Sequence, residues 1–286
     1  MKLIAIDLDG TLLGCEDQIS RENAAALKRA QTLGIEIAIA TGRTYREAVD
    51  FCRQIGITTH VISSNGALVH SKAGDRLLAV TLDKQTTAHI VSWLEEQRYY
   101  YEVSAEGAIW SPMHGRQWLE QEIQQFEQNN PLEDLSRLRF ESGKIYRSIN
   151  LVDRYQQILE KNDSYYKVYV FAADAMRLKA GYTKFGDSED LAVVSSMDYN
   201  FELMHREASK GNGLKTLAGE LGISVDSTAA IGDNYNDVSM FATAGFSVAM
   251  GNARADIKAN CDMVTDTNEN HGVANALDRL MQLHYG

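Results

Sequence analysis

Proline is nearly absent from this 286-residue chain. Pro112 and Pro131 are its only two, and no Pro-rich linker, internal repeat or low-complexity tract occurs. Cysteine is scarce as well. Cys15, Cys52 and Cys261 are odd in number and form no CxxC pair, which argues against a disulfide framework or a zinc ribbon and points to a reducing, cytoplasmic setting. Long hydrophobic runs are missing too. Leu3-Ile4-Ala5-Ile6 falls short of the roughly 7–15 apolar residues of a signal-peptide core, and no stretch approaches the ~20 of a membrane span. Positive charge is in deficit: 28 Lys+Arg against 39 Asp+Glu leave a net −11. Such a balance disfavours nucleic acid, whose phosphates bind basic surfaces, yet a local site can still hold a small phosphorylated ligand. The sequence carries no signal for an oligomeric state.

The remainder is globular in character, with 44% hydrophobic and 23% charged residues, and its length suggests about two domains. The division shows in two residue types. Between Lys84 and His205 lie 18 of the 24 aromatics but 5 of the 21 glycines. Glycine-rich flanks with short apolar runs predict an α/β fold, a doubly wound parallel sheet, built from residues 1–83 and 206–286. The aromatic middle, 84–205, predicts an inserted α+β domain.

In the first flank, Leu3–Ile6, Ile35–Ala40 and Val61–Ser64 are short apolar runs of the kind buried in parallel sheets. Between them run helical patterns: one opens at Ser20 and closes at Gly34, and the next covers Tyr45–Ile55 and stops at Gly56. Asn65-Gly66 is a tight-turn pair. The last flank resumes with a helix over Lys210–Leu221, a strand at Thr228–Ile231, a helix near Asp237–Ala244 and strands at Phe246–Met250 and Met263–Val264. Strand and helix in alternation imply parallel pairing with right-handed crossovers. In the middle, an amphipathic helix near Trp118–Asn129 and strands at Lys167–Phe171 and Leu191–Ser196 are expected.

Open α/β sheets bind ligands beyond the carboxyl ends of their strands, so the residues leaving each strand are informative. The first strand delivers Asp7-Leu8-Asp9-Gly10-Thr11, with Asp7 and Asp9 expected side by side as residues i and i+2. The second delivers Thr41-Gly42-Arg43; a later one delivers Gly232-Asp233-Asn234-Tyr235-Asn236-Asp237; and Lys210 opens a helix after Ser209. Converging carboxylates repel and are costly to desolvate. A hard divalent cation such as Mg²⁺ resolves this by taking carboxylate, water and phosphate oxygens. Helix N-terminal amides, a Thr hydroxyl and a Lys suit a phosphate. A second carboxylate remains, so that one can attack phosphorus while its neighbour protonates the leaving oxygen and then activates water. Singly, each motif is a common turn, cap or surface lysine; their joint order at strand exits and helix starts carries the inference.

The chain resembles the haloacid dehalogenase (HAD) superfamily phosphatases, in particular the Cof-like branch with a large cap inserted after the third strand. Ile4-Ala5-Ile6-Asp7-Leu8-Asp9-Gly10-Thr11-Leu12 is similar to that family's first motif, Thr41-Gly42-Arg43 to its second, Ser209-Lys210-Gly211 to its third and Ile231-Gly232-Asp233-Asn234-Tyr235-Asn236-Asp237 to its fourth. The resemblance implies Asp7 as nucleophile and Asp9 as general acid/base. It implies Mg²⁺ held by Asp7, the Asp9 carbonyl, Asp233 and Asn234, with Asp237 in support. Leu8, Thr41, the Gly42 amide, Lys210 and Asn236 would hold phosphoryl oxygens, while Arg43 and Asn65 sit on neighbouring loops within reach of substrate. The implied reaction is hydrolysis of a small phosphorylated metabolite, a sugar phosphate first, with pyridoxal phosphate or a flavin-pathway phosphate as further candidates. A phosphomutase using the same aspartyl-phosphate, and a non-catalytic sensor of Mg²⁺ and a phosphorylated ligand, are the competing readings. The seven histidines lack metal-ligand spacing, Cys52 reads as a small buried residue, and the Tyr99-Tyr100-Tyr101 run with Trp93, Trp110 and Trp118 reads as core and surface of the insert, the alternative being that one or two of these rings reach over the pocket and select the leaving group.

Overall fold

A computed structural model describes residues 1–14, 16–132, 134–143, 149–161 and 164–285; Cys15 lies outside the described residues. In chain order the strands are β1 (Leu3–Ile6), β2 (Glu36–Ala40), β3 (His60–Ser63), β4 (Leu68–His70), β5 (Arg76–Ala79), β6 (Leu82–Asp83), β7 (Tyr100–Ala105), β8 (Ala108–Pro112), β9 (Ile149–Val152), β10 (Ser164–Phe171), β11 (Leu191–Val194), β12 (Asn200–His205), β13 (Thr228–Gly232), β14 (Phe246–Ala249) and β15 (Met263–Val264). The helices are α1 (Arg21–Thr32), α2 (Tyr45–Gln54), α3 (Lys84–Glu96), α4 (Met113–Asn129), α5 (Ser136–Gly143), α6 (Gln156–Lys161), α7 (Ala175–Phe185), α8 (Lys210–Glu220), α9 (Val238–Thr243), α10 (Ala255–Ala259) and α11 (Gly272–Tyr285). Two units divide the chain: Met1–Val80 with Glu207–Gly286, and Thr81–Arg206.

The first unit is an eight-stranded sheet in the order β15-β14-β13-β1-β2-β3-β4-β5. Pairing is parallel from β15 to β3. All four residues of β1 are fully buried, and their alternation explains why a continuous apolar run is needed. Ile4 and Ile6 face a cluster with Ala26, Leu27 and Ala30 of α1 and Leu277 of α11, whereas Leu3 and Ala5 face Leu214 and Leu217 of α8. Local signals fix the helix ends. Ser20 caps α1 through a bond from the Asn23 N–H, and Gly34 follows it at φ +78°. Thr44 and Glu47 form a capping box that starts α2, which leaves Thr41-Gly42-Arg43 in the loop before the cap.

One part departs from the all-parallel expectation. After β3 the chain passes Ser64, Asn65 and Gly66, all with positive φ, and returns as the antiparallel pair β4–β5. At Gly66, φ is +93° and a Cβ would stand 2.0 Å from the Ser209 carbonyl oxygen, so only glycine lets this turn lie against the start of α8.

The second unit has the strand order β11-β12-β10-β7-β8-β9, with β6 pairing to β10. Its pairs are antiparallel except β8–β9. Helix α3 packs on one face with Tyr101, Val103, Val168 and Val170. Helices α4 and α5 cover Tyr100 and Phe171 on the other. Tyr99, Tyr100 and Tyr101 are all buried, so the run is interior to this unit. Among the histidines, His60 accepts the Lys72 N–H at Nδ1, which assigns the proton to Nε2 facing Glu36, and burial pulls its pKa below the ordinary value. Cys52 is buried beside Thr59.

Gly66→Ala is expected to destabilise the protein by about 2 kcal/mol or more, from combined backbone strain and overlap with Ser209. Urea denaturation measures this, and a change below about 0.5 kcal/mol would contradict the packing described.

Candidate active site

The carboxyl ends of β1, β2, β3 and β13 open on the same side of the parallel sheet, where strand order reverses about β1. The chain moves from β1 outward through β2 and β3, then returns on the other side as β13. Crevices at such switch points are where open sheets bind ligands. Asp7 follows β1, Thr41 follows β2, Asn65 follows β3 and Asp233 follows β13.

Carboxylate oxygens of Asp7, Asp233 and Asp237 lie within 4.8 Å of one another. Lys210, the first residue of α8, has no exposed surface. Its Nζ donates to Asp7 Oδ1 and to Asp237 Oδ1, each at 2.6 Å. Asp237 Oδ2 accepts the backbone N–H groups of Asp233 (2.9 Å) and Asn234 (3.0 Å). Thr11 Oγ1 donates to Asp233 Oδ1 at 2.9 Å. At Gly10 a Cβ would sit 2.6 Å from Asp233 Oδ2, so the φ +78° turn after Asp9 needs glycine for both conformation and space.

One ammonium among three carboxylates leaves negative charge in excess. Burial raises the Asp7 carboxyl well above its ordinary value; Lys210 opposes the rise, while Asp237 and Asp233 add to it. Burial, joined by Asp237, pushes Asp233 up to about 7. Burial would lower the Lys210 ammonium, but Asp237 and Asp7 outweigh it and hold the proton more tightly than usual. Among the described residues, Asp7 Oδ2 and Asp233 Oδ2 accept no hydrogen bond, whereas both Asp237 oxygens do. Two oxygens without donors in an acidic, largely buried group suit a hard cation, so this cluster could hold a metal ion.

The remaining candidates fall around this group. The strand ends at Ile6, the Asp7 N–H still donates to Ile231 O of β13 at 3.0 Å, and from Leu8 the chain turns through the bonds Thr11 N–H to Leu8 O and Leu12 N–H to Asp7 O. Asp7 therefore leaves the end of the strand and Asp9 the turn after it, so the i, i+2 alternation of a strand does not carry from one to the other. Asp9 instead meets Arg43, which donates from Nε to Oδ2 at 2.8 Å and from Nη2 to Oδ1 at 2.6 Å. Burial opposes the Arg43 charge, but Asp9 outweighs it and keeps the guanidinium protonated. The Leu8 side chain is buried. Thr41 is buried and its hydroxyl accepts the Arg43 N–H. Asn65, at φ +55°, places Oδ1 where Asn236 Nδ2 donates to it at 3.1 Å and 3.1 Å from where a Cβ on Gly42 would lie. That brings Asn65, Gly42 and Asn236 together. Asn234 uses its side-chain oxygen to accept the Tyr235 N–H, shaping the turn that delivers Asn236 and Asp237.

Two further residues join the site without a sequence signal for their part in it. Thr11 lies within the first motif, and its hydroxyl donates to Asp233; Asp17, whose Oδ1 accepts from Arg43 Nη2 at 3.3 Å, belongs to no motif.

The family model for haloacid dehalogenase-like hydrolases matches residues 4–277. The chain belongs to the haloacid dehalogenase-like hydrolases. It is 44% identical over 285 residues to the phosphatase YwpJ of Bacillus subtilis, covering 98% of this chain and all of that one. It is 33% identical to the 5-amino-6-(5-phospho-D-ribitylamino)uracil phosphatase YwtE of the same organism, over the full length of both. A solved haloacid dehalogenase-like hydrolase from B. subtilis superposes with a TM-score of 0.86 at 44% identity, covering 98% of this chain and 100% of that one. Within its family the chain is a phosphatase, and no helix among the described residues is long and apolar enough to cross a membrane.

The raised Asp233 carboxyl gives a pH signature to this HAD phosphatase. Without metal, the folded protein keeps a proton that the unfolded chain releases above about pH 4, so stability is lost as pH rises toward about 7. Asp233→Asn cannot ionise. In chelator the variant should melt several degrees above wild type at pH 8, with the gap closing toward pH 4. A gap unchanged across that range would contradict the charge excess.

Proposed function

We propose that this phosphatase is a Mg²⁺-dependent phosphomonoesterase that passes through an aspartyl-phosphate on Asp7. The observation that carries the reading is the buried Asp7–Lys210–Asp237 group with Asp233 beside it. Asp7, the Asp9 carbonyl, Asp233 and Asn234 would hold Mg²⁺, with Asp237 in support; when bound, the ion offsets the charge that an anionic nucleophile meets at an anionic phosphate.

The rest of the chemistry belongs to the chain. The Asp7 carboxylate forms a bond to phosphorus as the ester P–O bond breaks, and Asp9 gives a proton to the departing oxygen. Asp9 then takes a proton from water as its oxygen attacks phosphorus and releases Asp7. Lys210 orients Asp7 and balances charge. Leu8 through its backbone, Thr41, the Gly42 amide, Lys210 and Asn236 hold phosphoryl oxygens, positioning being most of what phosphoryl transfer needs. Asn65 supports this set through Asn236, and Arg43 supports it through Asp9.

The substrate is a small, soluble, cytoplasmic phosphate ester, with the inserted unit selecting its leaving group. Nucleic acid and membranes are not partners of this acidic chain. A sugar phosphate is the first choice. A ribityl phosphate of the flavin pathway is the second, favoured by the 33% identity to YwtE; both carry phosphate on a polyhydroxylated carbon chain.

A panel of sugar, nucleotide and cofactor phosphates, assayed with Mg²⁺ and with chelator, tests the proposal. Inorganic phosphate is expected as product, with turnover abolished by chelator and reduced at least about 10³-fold in Asp7→Asn with its fold retained. Activity in Asp7→Asn near the wild-type level, or indifference to chelator, would contradict the proposal. An isomeric phosphate in place of inorganic phosphate would mark a mutase.

A further inference from the structure

We infer that Asp17 is a positioning residue for the leaving-group step, acting through Arg43 to fix the carboxyl group of Asp9. The inference rests on the acid/base role given to Asp9 above and extends it to a residue outside the motifs.

The Arg43 fork engages both oxygens of Asp9, so the plane of that carboxyl group follows the plane of the guanidinium. Beyond Asp9, the described residues that meet the guanidinium include Asp17 and Phe51. Asp17 Oδ1 accepts from Nη2 at 3.3 Å, and the guanidinium carbon lies 5.0 Å from the centre of the Phe51 ring. The Arg43 and Asp17 side chains are only 16% and 19% exposed, unlike an ordinary solvated ion pair.

Asp17 sits in the left-handed region, at φ +54°, which the short polar side chain of Asp enters more readily than most. A tight loop holds it there: Asp17 N–H donates to Gly14 O, Gly14 N–H donates to Gln18 O, and bridges from Asp9 to Leu13 and from Leu13 to Ile19 tie the loop to the first motif. The loop thus returns an acid to the same arginine that Asp9 meets.

When the ester P–O bond breaks, its electron pair goes to the leaving oxygen, which takes the proton from Asp9. Each carboxyl oxygen has a second lone pair, so both can accept from Arg43 and one can still carry the transferred proton. A p-nitrophenolate departs as a stable anion and needs no proton, whereas a primary alkoxide needs one. Loosening Asp9 should therefore slow alkyl esters selectively.

Asp17→Asn is the suitable variant, since Asn tolerates positive φ as Asp does and only the charge is lost. kcat/KM, which reports the steps through leaving-group departure and so excludes the later water attack that Asp9 also assists, is compared for p-nitrophenyl phosphate and for the best primary-alkyl phosphate of the panel, with Asp9→Asn as reference. The expected result is about a 10-fold loss on the alkyl ester and under about 2-fold on the aryl ester, with an unchanged melting temperature and a larger but equally selective loss in Asp9→Asn. Equal losses on both esters, or none on either, with Asp9→Asn selective, would overturn the role of Asp17 alone. An unselective Asp9→Asn would overturn the acid role of Asp9 and this inference with it.

Discussion

A fully buried ammonium between two carboxylates organises this protein. Lys210 Nζ stands 2.6 Å from both Asp7 and Asp237, and such a group survives burial only if its charges compensate. They do so incompletely, because Asp233 adds a third carboxylate. The surplus charge suits the crevice to a cation, which when bound would offset the charge that a phosphate meets there. The backbone contributes as well: Asp237 is locked by two N–H groups of the turn it closes, which leaves Asp7 and Asp233 with oxygens to offer.

The sheet makes this convergence possible. Asp7 and Asp233 are 226 positions apart but follow neighbouring strands, β1 and β13, paired in register from Leu3–Thr228 to Ile6–Ile231. Lys210 reaches them because the turn after β3 lies directly against the start of α8, a contact permitted by the missing side chain of Gly66. Small residues near the crevice thus act as spacers for charged ones. Gly10 leaves room for Asp233, and a Cβ on Gly232 would meet Asp237 Oδ2 at 2.5 Å.

Much of this was legible in the sequence. Asp7, Lys210, Asp233 and Asp237 each stand where an apolar run ends or a helical pattern begins, and periodicity locates those points well. Side-chain pairing beyond them has no periodicity to read. That Asp9 would face Arg43, and that Asp17 would face it too, depends on a turn starting one residue after β1 and on a loop with positive φ. The antiparallel β4–β5 pair was hidden for a related reason: three consecutive residues with positive φ reverse the chain, and only Asn65-Gly66 hints at this. In the inserted unit, Tyr99-Tyr100-Tyr101 is buried throughout, so no alternation marked the start of β7.

In the proposed mechanism Asp7 carries the phosphoryl group between the two half-reactions. Enzyme quenched in acid during turnover, digested and mapped by mass spectrometry should hold a phosphoryl group on Asp7 that is absent when substrate or Mg²⁺ is withheld; a phosphoryl group on another residue, or none under steady turnover, would exclude Asp7 as the nucleophile.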